Sequence, residues 1–404
     1  MKTNIIILLL VSLSINGYSQ SWRYVQGKKV YKNLKEALTA KNEVYNLELY
    51  SKELTLKDLK NIGKLRNLQY LELGNCWLTE LPIDVFKLPD LRSLVLDKNE
   101  FTNFPAGIRF SKKLEYLSMN DCEISIVPKE IGELTNLEEL LMANNNISIL
   151  PAEIGKLKKL TRLVIWKNML EYLPAEIGQL ENLEDIVIDR NRLKTFPETI
   201  GGCRKLTSID AERNYLVSIP AALGNLANLK KLDLSYNNMR DFPFELSKLK
   251  KLKELHIAGD SVKQIPEFIR ELESLELLEI RLTAIQTIPG FICNLENLKE
   301  LDFSNNKINA IPDCIGNLTK LTSLSLGWNQ ITIIPSALFK ASNIEYLSFT
   351  QNPITDIPKE IKNLKKLMGL GIQLTTILPE KIEKIRNILP KNCEVLVEVG
   401  HWPK

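Results

Sequence analysis

The sequence predicts an α/β solenoid: a curved stack of short repeats, with a parallel β-sheet on the concave face and short helical turns on the convex face. Three observations predict it. Leu or Ile recurs every 23 residues from Leu68 to Ile344. Apolar residues follow three and five positions later, the alternation of a short half-buried strand. Pro returns at the fifteenth position of all thirteen repeats, from Pro82 to Pro358, and so takes thirteen of the chain's 18 prolines. The register runs from 68 to 366 without insertion or deletion.

Each strand is dictated by its alternation. In LVIWKN (163–168), Leu163 and Ile165 point inward, whereas Val164, Trp166 and Lys167 point outward. One repeat cannot bury its apolar face alone, so stability comes from its neighbours. Fourteen strands about 4.8 Å apart make an inner edge of roughly 65 Å. The ninth position is held by Asn99, Asn145, Asn168, Asn191, Asn214, Asn237, Asn306, Asn329 and Asn352. A side-chain amide both donates and accepts, so it can satisfy backbone groups where the chain leaves the strand. These residues are expected to form a structural ladder. Asp260 and Thr283 replace the Asn in two consecutive repeats, where the ladder is expected to be weakest. The Pro suits the first position of a helical turn. The Gly of PAEIG (151–155, 174–178) is expected to permit an unusual turn.

Stretches such as LTRLVIWKNMLEYLP (160–174), LPAEIGKL (150–157) and LPAEIGQL (173–180) resemble the leucine-rich repeat family, whose signature is L-x-x-L-x-L-x-x-N/C-x-L. They look like the 23-residue LPxxIGxL class of Ras-group and bacterial proteins. The resemblance runs from 44 to about 380. It implies a horseshoe that binds protein ligands first. It also implies that Cys76 and Cys122, which stand in the Asn slot, are buried structural thiols. Two repeats put them about 10 Å apart, too far for a bridge. Cys203 fills an apolar slot. Cys293 and Cys314 lie in adjacent repeats but in different columns, so a bond between them is not the expectation.

The ends depart from the repeat. Met1-Lys2, the apolar run 5–15 and small residues at Gly17 and Ser19 form a secretory leader, expected over 1–19 with cleavage after Ser19. A spanning helix needs roughly 20 apolar residues, and no Cys follows the run to carry a lipid. Export to the exterior, the periplasm or a cell surface is therefore expected, with no integral membrane segment after cleavage. Residues 20–43 form an N-terminal cap, with Asn33 and Glu36 at capping-box spacing. Residues 44–67 are a degenerate repeat. Residues 367–404 combine a truncated repeat with a C-terminal cap, including a helix near 379–390 and an edge strand over 393–399.

Function follows from what is displayed. The 53 Lys and Arg against 49 Asp and Glu are interspersed, which gives no case for nucleic acid. No phosphate loop, nucleophile elbow or metal constellation stands out, so no cofactor, no metal and no enzyme is expected. His256 is a lone outward residue. Asp210, Asp233, Glu279 and Asp302 share the fifth position and are expected to form a solvated column. On the concave face Leu141, Val164, Trp166 and Val187 form an expected apolar patch, ringed by Arg162, Lys167, Arg190, Arg192 and Arg213. Trp328 and Tyr346 make a smaller aromatic pair. Trp, Tyr and Arg are the usual anchors of interfaces. The expected partner is a protein; the second reading is a glycan stacked on Trp166, Trp328 and the tyrosines.

Overall fold

The computed structural model describes residues 25–397, and the leader expected over 1–19 lies outside them. The described residues fall into two compact units that divide between Leu206 and Thr207. The N-terminal unit holds β1 (Val30–Tyr31), β2 (Asn46–Glu48), β3 (Tyr70–Glu72), β4 (Ser93–Val95), β5 (Tyr116–Ser118), β6 (Glu139–Leu141), β7 (Arg162–Val164) and β8 (Asp185–Val187). Each strand pairs in parallel with the next. The C-terminal unit holds β9 (Ser208–Asp210), β10 (Lys231–Asp233), β11 (Glu254–Ala258), β12 (Leu277–Arg281), β13 (Glu300–Asp302), β14 (Ser323–Ser325), β15 (Tyr346–Ser348), β16 (Gly369–Gly371) and β17 (Glu394–Leu396). These too are parallel throughout. In every pairing from β3 to β8 and from β9 to β15 the register offset is 23 residues, so equivalent positions of successive repeats stand side by side. The core is the inward set: Leu163, Ile165, Leu232 and Leu234 have no exposed surface.

The Asn slot works as a backbone clamp. Asn145 Oδ1 accepts from the Ile124 N–H at 3.0 Å, while its Nδ2 donates to the Met119 and Met142 carbonyls at 2.8 and 3.2 Å. Asn99, Asn168, Asn191 and Asn237 repeat the arrangement. Their Oδ1 atoms accept from the N–H groups of Leu78, Ile147, Leu170 and Leu216, 21 residues earlier. Their Nδ2 atoms donate to the carbonyls of Leu73, Met142, Ile165 and Ala211, 26 residues earlier. Asn214 Nδ2 donates within its own repeat, to the Ala211 carbonyl at 3.1 Å. Asn329 clamps Ile308, Phe303 and Leu326, and Asn352 clamps Ile331, Leu326 and Phe349. All these Asn side chains belong to buried residues, so without the amide the backbone groups would have no water to turn to.

Cys76 and Cys122 occupy equivalent sites and aim their thiols at the Leu49 and Leu96 carbonyls. Burial pushes the Cys122 thiol up to about 11 and the Cys203 thiol to about 12, which keeps both protonated and inert. The residue before the slot takes a left-handed backbone in repeat after repeat, as at Lys167 (φ 55°), Arg190 (φ 52°) and Trp328 (φ 58°).

Two expectations change. Pro does not open the helical turn; it precedes it. Pro151 is extended (φ −71°, ψ 151°) and the 3-10 turn starts at Ala152. The Gly of PAEIG serves proximity rather than an unusual φ. A Cβ on Gly178 would meet the Thr199 carbonyl oxygen at 2.0 Å, so only Gly lets adjacent 3-10 turns stack this closely. Around Asp260 and Thr283 the ladder is as weak as expected, since among the described residues neither side chain makes the amide's bonds to the backbone carbonyls, but the sheet is longer there. There β11 and β12 lengthen to five residues and add the pairings Ile257–Ile280 and Ala258–Arg281. The Thr283 hydroxyl donates to Asn306 Oδ1, so the shorter side chain leans on the next amide of the column.

The Cys293–Cys314 bond also runs against the expectation, since the two are joined, with Cα atoms 5.7 Å apart. The reason is the convex register. Position 19 of one repeat abuts position 17 of the next, as Gly132 does with Glu153 and Gly155 with Glu176. Cys293 and Cys314 stand in that same relation. Columns that differ by number are the ones that touch.

At the N-terminal end, α1 (Leu34–Thr39) is capped by Asn33, whose side chain accepts from the Glu36 N–H at 3.1 Å. The Glu36 carboxylate bonds Lys29 rather than the cap's backbone. In the degenerate repeat α2 (Leu56–Ile62) carries a full Thr55–Asp58 capping box. The first regular repeat has α3 (Ile83–Phe86), and α4 (Pro379–Ile388) precedes β17.

Candidate functional site

The outward face of the N-terminal unit is built from the third, fifth and seventh positions. Val95, Ser118, Leu141, Val164 and Val187 stand in register on β4 to β8. At about 4.8 Å per strand, such side chains close over one another. Val164, between Leu141 and Val187, is only 6% exposed, so the expectation that it is displayed fails. Val95 is also buried, in a cluster with Val25, Tyr70 and Tyr116 on which Leu141 packs. What remains open around β7 is Leu141, Trp166 and Val187, all half-buried. Arg162 bonds Asp185 through Nε at 3.2 Å, and Arg190 approaches Asp189 at 3.7 Å. Lys167 and Arg190 are exposed past the strand ends, in the left-handed turn.

Other residues of the expected set lie elsewhere. Arg213 belongs to the C-terminal unit, where its guanidinium sits 5.0 Å from the Tyr236 ring centre. Tyr346 starts β15 and is exposed. Trp328 is not on the strand face; it stands past the end of β14 in the left-handed turn, about half-exposed. The ladder residues Asn99, Asn168, Asn191, Asn214 and Asn237 are buried, with their amides bonded to the backbone.

The fifth-position column of the C-terminal unit is not the solvated face expected of it. Asp210, Asp233, His256, Glu279 and Asp302 are all part-buried on β9 to β13. Burial, then the Asp233 charge, pushes the Asp210 carboxyl up to about 6. Burial raises Asp302 as well. For Glu279 burial is opposed and outweighed by the hydrogen bond and charge of His256 and by Arg281, which hold it at about 2. His256 Nδ1 lies 3.1 Å from Glu279 Oε2. Burial lowers this imidazole, but Glu279 and Asp233 raise it further. Its Nε2 has no partner among the described residues.

Asp260, in the Asn slot, accepts from the Met239 N–H at 2.8 Å through Oδ1, but its buried Oδ2 has no partner among the described residues. Burial pushes it up to about 7, against the backbone bonds that favour its charge. The weakness expected of the ladder at Asp260 has this chemical cause: a carboxylate has no donor for the carbonyls an amide would cap.

Comparison with known proteins decides the family. A leucine-rich repeat region model matches residues 163–264 and 255–338, and a leucine rich repeat model matches 67–88 and 136–157. The leucine-rich repeat protein LIC12759 of Leptospira interrogans is 34% identical, with a TM-score of 0.78 over 91% of this chain and 99% of that one. The chain belongs to the leucine-rich repeat family. The plant peptide hormone receptor RGFR1, solved with RGF2, shares the fold at 24% identity and TM-score 0.68, over 91% of this chain and 68% of that one. So does an internalin, InlF, of Listeria monocytogenes, at 20% identity and TM-score 0.61, over 87% and 85%. None of the curated proteins matches in sequence.

A leucine-rich repeat chain presents rows of side chains at fixed spacing on a rigid backbone, the form of a recognition scaffold. Among the described residues no three His, Cys, Asp or Glu side chains are placed to hold a metal ion. No helix there is long and apolar enough to cross a membrane. A second ladder, missed in the sequence, stiffens the edge where strands begin. The last position of each repeat alternates Asn and Lys over much of the chain. Lys159 Nζ bonds Asn136 Oδ1 at 2.8 Å, Lys205 bonds Asn182 at 2.7 Å, and Lys320 bonds Asn297 at 2.7 Å. Each of those Asn residues also donates to a carbonyl 24 residues earlier. The signal was legible as a 46-residue period hidden under the 23-residue one.

Proposed function

We propose that this protein is an exported recognition protein that holds a protein ligand against the outward face of its N-terminal unit, with Trp166 as the anchor. One observation carries the reading: Trp166, the largest apolar side chain of this face, stays half-open beside part-open Leu141 and Val187, near the Arg162–Asp185 pair and exposed Lys167 and Arg190. A large aromatic with a basic rim on a rigid support is the composition of an interface centre. Val164, closed between Leu141 and Val187, adds little ligand contact of its own. Membership in a family built for protein recognition supports the class of partner, as does the peptide hormone held by the plant receptor RGFR1. Export rests on the leader pattern over residues 1–19.

The test is affinity capture with the secreted form, wild type against Trp166→Ala and Val187→Glu. Both variants are checked for folding by circular dichroism. A specific protein ligand that loses at least tenfold in affinity to each variant is the expected result. Unchanged affinity in both sinks the site. Mass spectrometry of the exported protein reads the mature N-terminus, expected after Ser19.

A further inference from the structure

We infer that the left-handed turns at the ends of β12 to β16 form a second binding site, one that takes a neutral oligosaccharide. A groove of about 680 Å³ lies there, of the size of a small-molecule site. Its rim is one column of the repeat: Leu282, Asn305, Trp328, Gln351 and Leu374. All five hold a left-handed backbone, with φ between 56° and 58°. That conformation recurs through the chain, so it marks architecture rather than the site; what it does is fix the side chains at strand spacing.

The chemistry selects the ligand. A quarter of the chain's residues are charged, yet no lining residue of this groove is. In the N-terminal unit the same column reads Asn75, Lys98, Asp121, Asn144, Lys167 and Arg190, which is mostly charged. The indole of Trp328 is about half-exposed, and Leu282 and Leu374 are exposed at either end. The amides of Asn305 and Gln351 flank the indole, one strand away on each side, about 4.8 Å. Neither amide makes a side-chain hydrogen bond among the described residues, while Asn306, Asn329 and Asn352 behind them are all committed to the ladder. The groove therefore offers an apolar ring face beside two unspent groups that each donate and accept. A pyranose is about as wide as the strand spacing. It presents C–H bonds on its face and hydroxyls at its edge, which match the indole and the two amides together. A charged polymer gains nothing here, because there is no countercharge to meet it.

The site is separate in position and chemistry from the one centred on Trp166, so either can fail without the other. The experiment is isothermal titration of the full chain with cellopentaose, maltopentaose, laminaripentaose and chitopentaose, at 0.05 and 0.5 M sodium chloride. At least one should bind with Kd below 1 mM, with less than a twofold change between the two salt concentrations. Trp328→Ala should weaken it at least tenfold, Asn305→Ala and Gln351→Ala each about threefold or more, and Trp166→Ala not at all. Trp328→Phe, which keeps a ring, should retain part of the affinity and guards against misfolding. No binding by any of the four, binding that survives Trp328→Ala, or binding lost with Trp166→Ala overturns the inference.

Discussion

In the N-terminal unit the fifth positions run Val95, Ser118, Leu141, Val164, Val187; in the C-terminal unit they run Asp210, Asp233, His256, Glu279, Asp302. The strands carrying them are alike in direction and spacing. The N-terminal column closes by packing, and its members are small or aliphatic. The C-terminal column closes too, but over charge, and its carboxyls shift apart to about 6 for Asp210 and about 2 for Glu279. The repeat thus holds the backbone while leaving the outward chemistry free. Acid–base behaviour follows the side chains rather than the fold.

The largest expected contrast is within the ladder. Asn145→Ala removes one acceptor and at least two donors from buried backbone groups. At about 1–3 kcal/mol per orphaned group, it should cost roughly 3–5 kcal/mol in urea unfolding. Asp260→Asn should go the other way. It supplies the donor that the unpartnered Oδ2 lacks, and should stabilise by about 2 kcal/mol above pH 7. Asp260 keeps its proton up to about 7 in the folded chain, against about 3.9 for a free Asp. Between those values the folded state binds more protons than the unfolded state. Stability therefore falls as pH rises from about 4 to about 7, then levels off. Asp260→Asn should flatten that slope, and an unchanged slope would show that Asp260 does not set it.

The cysteines separate the units next. Cys314→Ser opens a 21-residue link in the C-terminal unit and should cost about 3 kcal/mol. Cys122→Ala in the N-terminal unit loses one buried thiol contact and should cost about 1 kcal/mol. A reductant should lower the unfolding midpoint of the wild type and leave Cys314→Ser where it is. The convex turns give a contrast of their own. Gly178→Ala meets a carbonyl oxygen at 2.0 Å and should cost about 2 kcal/mol. Gly290→Ala meets nothing within 4 Å and should be neutral or stabilising by about 0.5 kcal/mol.

Much of this molecule is one-dimensional, and such features are legible without coordinates. The strand of each repeat, its inward Leu set and the Asn slot follow from a period of 23, because each depends on its own repeat and the adjacent one. The period places Asn168 and Asn191 in one column; their partners, an N–H 21 residues back and a carbonyl 26 back, come from the coordinates. The helix α2 does not follow from the 23-residue period, because residues 44–67 depart from it, although TLKD (55–58) spells its capping box. Trp166 was readable as outward, but its half-burial and the closure over Val164 were not. They depend on the heights of neighbours that change from repeat to repeat.

By itself the sequence determined the family, the strand register, the ladder column and the absence of room for insertions between 68 and 366. Those are consequences of strict spacing, which any stacked arrangement must respect. Only the tertiary structure decided which unlike columns meet across the convex turns. That contact joins Cys293 to Cys314 and demands Gly at 178. It alone also decided that the acidic column is part-desolvated, and that Trp328 stands beside two unspent amides at the strand ends rather than on the sheet. The physical reason is common to all three: each depends on distances between side chains about 21–23 residues apart in sequence, which spacing brings near and packing alone resolves.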